Sequence, residues 1–190
     1  MSILSKLRKS PPFQVSENYS IYYRLDQIKR SKIEIDFDVF LPTIFNKKTG
    51  KLGINLQRDF CWTLQQKQEL IISILKGIKL PPFAVISFID DNDRSNQKHT
   101  YKIIDGKQRL STIISFINNE FSIIVEGSEF YYRDFDEDTL NEFNKTNISG
   151  FMAISYYDKP ISDKAIYDWF VMLNFAGTKV EREHLDSFGV

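Results

Sequence analysis

The apolar residues change period across three positions near the middle of the chain. Thr100 to Ile104 reads as a β-strand, Asp105-Gly106-Lys107 interrupts it, and Leu110, Ile113, Ile114 and Ile117 resume at helical spacing. This succession predicts a strand, a tight turn and a helix with nothing between them. At such a turn the free N–H groups and the positive end of the helix dipole collect anions.

The rest of the chain arranges itself around that unit. Residues 1–20 mix Lys, Arg and Ser with Pro11-Pro12 and lack periodicity, which predicts a flexible arm, with one domain over residues 21–190. From Ile33 to Phe45 apolar and polar residues alternate as in a half-buried strand, followed by a loop with Gly50 and Gly53. Thr63 and Gln66 form a capping box ahead of Leu64, Leu70, Ile71, Ile74, Leu75 and Ile78 at helical spacing, and Pro81-Pro82 excludes continuation. Phe83–Ile89 and Thr100–Ile104 read as a hairpin across the polar Asp90–Lys98 connection. Phe121–Val125 and Phe130–Tyr132 form a second hairpin, and Phe151–Tyr157 a further strand. Ser162 can cap a helix whose Ile166, Trp169, Phe170 and Leu173 face the core, with Ala176-Gly177 at its end and a last short helix over Glu181–Phe188. Hairpins and helices in irregular order favour a single α+β domain over a doubly wound sheet.

Charge and cysteine content exclude several function classes. With 25 basic and 25 acidic residues the formal net charge is zero, so no global field draws nucleic acid. A DNA contact needs a local patch, such as Arg24, Lys29, Arg30 and Lys32, whose commoner meaning is a solvated helix face. No apolar run approaches the ~20 residues of a membrane span, and Met1–Ser10 has no apolar signal segment, so the expectation is a cytoplasmic protein without membrane contact. Cys61 is the one cysteine and His99 and His184 the two histidines, too few for a disulfide or a zinc site. Metal chemistry would need a hard cation on oxygen ligands.

Three clusters carry candidate chemistry. In Asp105-Gly106-Lys107-Gln108-Arg109, Gly106 lets the backbone approach a phosphate, Lys107 and Arg109 are cationic donors, and Asp105 can hold Mg²⁺ or orient a water. On local physics alone the favoured alternative has Asp105 capping the helix and Lys107, Gln108 and Arg109 as its solvated first turn. In Asn55–Trp62, Arg58 can reach an anion, while Trp62 either stacks on a base or, the better reading, packs against the following helix. Asn174-Phe175-Ala176-Gly177-Thr178 is, by itself, a plain helix end and turn. Cys61 with His99 or His184 would suggest thiol chemistry, but nothing places a His beside it and a lone Cys is usually a small buried hydrophobe.

These clusters occur in one order: Gln57-Arg58 with Trp62, Leu80-Pro81-Pro82, Ile104 to Thr112, then Asn174 to Thr178. That order resembles the N-terminal domain of GmrSD-type modification-dependent restriction endonucleases, a family related to the ParB and sulfiredoxin fold, over roughly residues 33–186. The resemblance implies a ParB/sulfiredoxin-like mixed sheet with packed helices. It further implies nucleotide binding with Mg²⁺-dependent NTP hydrolysis, Asp105 and Gln108 being catalytic and Asp105 the Mg²⁺ ligand. Arg58, Gly106, Lys107, Arg109, Asn174, Gly177 and Thr178 would then bind the nucleotide. DNA, a nuclease partner protein and a second copy of the chain are the implied partners, within a phage or bacterial defence system. The alternative it leaves is a DNA-binding or protein-interaction module that keeps the fold without the chemistry. The sequence departs from the family pattern at Lys107, where Gln is commoner, at Ala176, where Gly is usual, and at His184, where Glu is expected. The chain ends at Val190 without a His/Asn nuclease motif, so DNA cleavage by it alone is not expected.

Overall fold

Val85 of β5 (Phe83–Ile89) lies between Ile103 of β6 (His99–Asp105) and Met152 of β9 (Asn147–Tyr156), and this apolar row fixes the middle of a five-stranded sheet. The computed structural model describes residues 15–21, 26, 30, 33–89, 99–156 and 160–177. Strand order is β1-β9-β5-β6-β2, where β1 is Val15–Ser20 and β2 is Ile33–Asp36. β1 with β9 and β5 with β6 are antiparallel, whereas β9 with β5 and β2 with β6 are parallel. The mixed sheet, with four helices among the described residues, confirms the single α+β domain.

Alternation along β5 sorts the core into two layers. Phe83 and Val85 face α1 (Leu64–Leu75), α2 (Lys107–Ile117) and α3 (Glu137–Lys145), together with Ile71, Ile74, Phe116 and Phe143. Ala84 and Ile86 face α4 (Asp163–Gly177) and a separate hairpin of β3 (Phe40–Asn46) and β4 (Lys51–Asn55), around Leu41, Ile54, Ile166 and Trp169. A small hairpin, β7 (Ile123–Val125) with β8 (Ser128–Phe130), and a 3₁₀ turn at Tyr132–Asp134 complete the first layer. Among the described residues no helix is long and apolar enough to cross a membrane.

Several expectations need correction. The single strand over Ile33–Phe45 is two strands in different sheets, because Asp36 Oδ1 accepts from Asp38 N at 2.9 Å and turns the chain between them. The loop at Gly50 and Gly53 is largely β4; Gly53 within the strand hides its pattern, and its left-handed conformation (φ +100°) lies under the Phe40 ring. Residues 15–20, expected in the arm, pair with β9, since backbone hydrogen bonds to a sheet edge require no side-chain period. Helix α3 is absent from the sequence reading: its apolar side chains are few, and the Asp136 cap, accepting from Thr139 N at 2.7 Å, is its clearest signal. Leu64 and Ile78 are exposed, Ile78 lying beyond the helix end. The expected Asp90–Lys98 connection, the 181–188 helix, Arg24, Lys29, Lys32 and His184 lie outside the described residues, and Arg30 pairs with Asp26.

Candidate functional site: the start of helix α2

The strand β6 ends at Asp105 and α2 begins at Lys107, as the change of period required. The hinge is Gly106, in the left-handed region at φ +99°, where a Cβ would come within 2.3 Å of the Phe83 ring. No L side chain fits there without strain. Gly106 is the N-cap of α2 and supplies no side-chain acceptor, so the helix starts with its first N–H groups uncapped. Asp105 is therefore not the helix cap. Its Oδ2 instead accepts from Arg109 Nη2 at 2.9 Å.

Three side chains hold this turn in place. Arg109 lies over the Phe83 ring, 4.5 Å from its centroid, and donates to the carbonyls of Pro81 and Pro82 as well as to Asp105. Its side chain is 13% exposed; burial lowers its pKa, while the Asp105 carboxylate works to keep the charge. Gln108 clips the neighbouring loop at both ends of its amide: Oε1 accepts from Cys61 N at 3.0 Å and Nε2 donates to the Asp59 carbonyl at 3.0 Å. Gln57 reaches back from the same loop, its Nε2 donating to the carbonyls of Ile103 (2.8 Å) and Ile104 (2.7 Å). The β5–β6 register shifts between Ala84 and Val85, where regular pairing gives way and such acceptors need other donors.

Loop 57–61 is thus laced to the turn on both sides of Arg58. Arg58 is exposed and, among the described residues, makes no hydrogen bond or ion pair. Lys107, by contrast, extends to Asp38 Oδ1 at 3.4 Å and is 12% exposed. The structure therefore brings the Arg58 segment and the Asp105–Arg109 turn together, but directs the Arg109 guanidinium toward Pro81, Pro82 and Phe83. Asn174 and Gly177 lie on α4; the Asn174 amide donates to the Phe170 carbonyl at 2.7 Å, and no described contact joins either residue to the turn. Thr178 lies outside the described residues. Trp62 packs against the helical layer, the better of its two readings, and Cys61 is exposed rather than buried. Sequence reasoning missed the linking roles of Gln57, Pro81, Pro82 and Phe83; its signals were the adjacency of Gln57 to Arg58 and the place of Leu80-Pro81-Pro82 in the order of motifs.

Among the described residues no group of three His, Cys, Asp or Glu could hold a metal ion. The turn offers a single carboxylate, and one of its oxygens is already on Arg109. Mg²⁺ commonly binds through one or two carboxylates plus substrate phosphates, so this donor set fits a cation that shares a polyphosphate, not a resident one.

A family model described as the GmrSD restriction endonuclease N-terminal domain matches residues 41–185. No curated protein and no solved structure matches the chain.

Proposed function

Since the chain belongs to the family of GmrSD restriction endonuclease N-terminal domains, we propose that it is a nucleoside-triphosphate-binding domain of a phage or bacterial defence system. The observation that carries this reading is the uncapped start of α2, held rigid by Gln57, Gln108 and Arg109. Free N–H groups at a helix start that need not reorganise favour a phosphate. Arg58, exposed on the laced loop, supplies a cation free to reach the outer phosphates. Arg109 and Gln108 then act as positioning residues, and Asp105, 46% exposed, is the group at the turn able to orient a water or hold Mg²⁺ with one oxygen. When bound, Mg²⁺ would neutralise phosphate charge as the terminal bond breaks. A nuclease partner protein would receive the nucleotide state as a signal. The ParB- and sulfiredoxin-like kinship of the sheet belongs to the same reading.

A second reading has one observation in its favour. The amide of Gln108 and the guanidinium of Arg109 are already committed to the protein, leaving few side chains for hydrolysis. The domain would then bind without turnover. Melting curves and phosphate release with each of the four NTPs, with and without Mg²⁺, separate the two. Stabilisation by one nucleotide with phosphate release supports the NTPase, and Asp105→Ala should then abolish release while keeping the fold. Stabilisation without release supports the binding module. A chain that none of the four stabilises, or an Arg58→Ala variant with unchanged affinity, overturns the assignment of this site.

A further inference from the structure

We propose that the β3–β4 hairpin is a projecting arm that lies in a groove of duplex DNA. This inference goes beyond the nucleotide site and does not depend on it.

The hairpin is rooted at one end and free at the other. Leu41 and Ile54 sit opposite each other and are buried with Val39 and Leu56 against α4. Further along the same ladder Phe45 faces Leu52, yet these two are 52% and 68% exposed. Thr43 and Ile44 are still held, by Asp163 of α4 and by that core, so the arm runs free from Phe45 and Leu52 to its tip. Its tip is pre-formed: Asn46 Oδ1 accepts from Lys48 N at 2.9 Å and Thr49 N at 3.1 Å, Gly50 N donates to the Asn46 carbonyl at 2.9 Å, and Gly50 has φ +68°. A tip fixed in this way loses little conformational freedom on binding.

Its charge selects the occupant. Phe40–Asn55 holds Lys47, Lys48 and Lys51 and no Asp or Glu, in a chain whose net charge is zero. All three lysines are exposed, and none forms an ion pair among the described residues. An apolar pair flanked by exposed lysines suits a polyanion with apolar surface between its charges. A two-stranded ribbon matches the major groove of B-DNA, about 12 Å wide, where Phe45 and Leu52 meet base edges and thymine methyls while the lysines reach the flanking phosphates.

Fluorescence anisotropy of the full chain with a labelled duplex, across a salt series, tests this. The wild type should bind, and Lys47→Ala/Lys48→Ala/Lys51→Ala should bind at least about tenfold more weakly, with a salt slope smaller by about 2–3. Phe45→Ser should weaken binding with the salt slope unchanged, since it removes no phosphate contact. Melting temperature and any nucleotide-induced stabilisation should be the same in all three proteins, which keeps this inference separable from the nucleotide reading. No binding by the wild type at low salt overturns the proposal. So do wild-type affinity in the lysine variant, tighter binding of single strands or RNA than of duplex, and equal competition by polyglutamate.

Discussion

At the scale of single residues, Gly106 and Asp105 are where the backbone and the chemistry meet. Gly106→Ala should cost about 1–3 kcal/mol from the left-handed backbone alone, and displacing the Phe83 ring adds to it. Urea denaturation measures the loss; unchanged stability would mean that the turn does not need this conformation. Asp105→Asn separates charge from hydrogen bonding. Asn can still accept from the largely buried Arg109 guanidinium but removes its counter-charge, so we expect a stability loss of about 1–3 kcal/mol, whereas any hydrolysis should fall as far as in Asp105→Ala. Hydrolysis retained at the wild-type rate in Asp105→Asn would remove the carboxylate from the chemistry and leave it as a partner of Arg109.

At the scale of elements, the helices that carry the site are set by their caps. In α1 the Thr63 hydroxyl and the Gln66 side chain satisfy each other's backbone N–H groups, a motif legible in the amino-acid order itself. Thr63→Ala should lower stability by about 0.5–2 kcal/mol and Thr63→Ser by much less. In α3 the backbone N–H of Thr139 holds the Asp136 carboxyl below the usual carboxylate pKa. A carboxyl that is more acidic when folded favours folding above its unfolded pKa, and that contribution disappears as pH falls through the depressed folded value. Melting temperatures of wild type and Asp136→Asn should therefore converge as pH drops from about 5 toward 2. Parallel curves would show that the cap works without its charge.

At the scale of the whole molecule, one sheet joins two cores of different character. Phe116, Phe121, Phe135 and Phe143 pack ring against ring, with centroids 5.4–6.3 Å apart, on the layer of α1, α2 and α3. Trp169 and Ile166 anchor the other layer. Because β5 contributes to both through alternate side chains, damage to either should be felt in one transition. Phe143→Ala should cost about 3–5 kcal/mol, and Trp169→Ala a similar amount; each should shift the fluorescence and circular dichroism transitions together. Separated transitions would mean that the layers unfold independently.

The sequence alone determined what depends on near neighbours: the capping box at Thr63, the change of period at Asp105, the Ser162-capped helix with Trp169 inward, and the order of motifs that identified the family. Those features act within a turn or two, so their signals are local. What the tertiary structure decided is the employment of polar side chains over long separations. Gln57 and Gln108 reach across nearly fifty residues to satisfy backbone groups, and Arg109 finds its acceptors in Pro81 and Pro82. The same motif reads as a solvated helix face or as a phosphate clamp until those partners are placed. A buried polar group must be matched wherever a partner exists, and the fold, not the adjacent sequence, sets where that is.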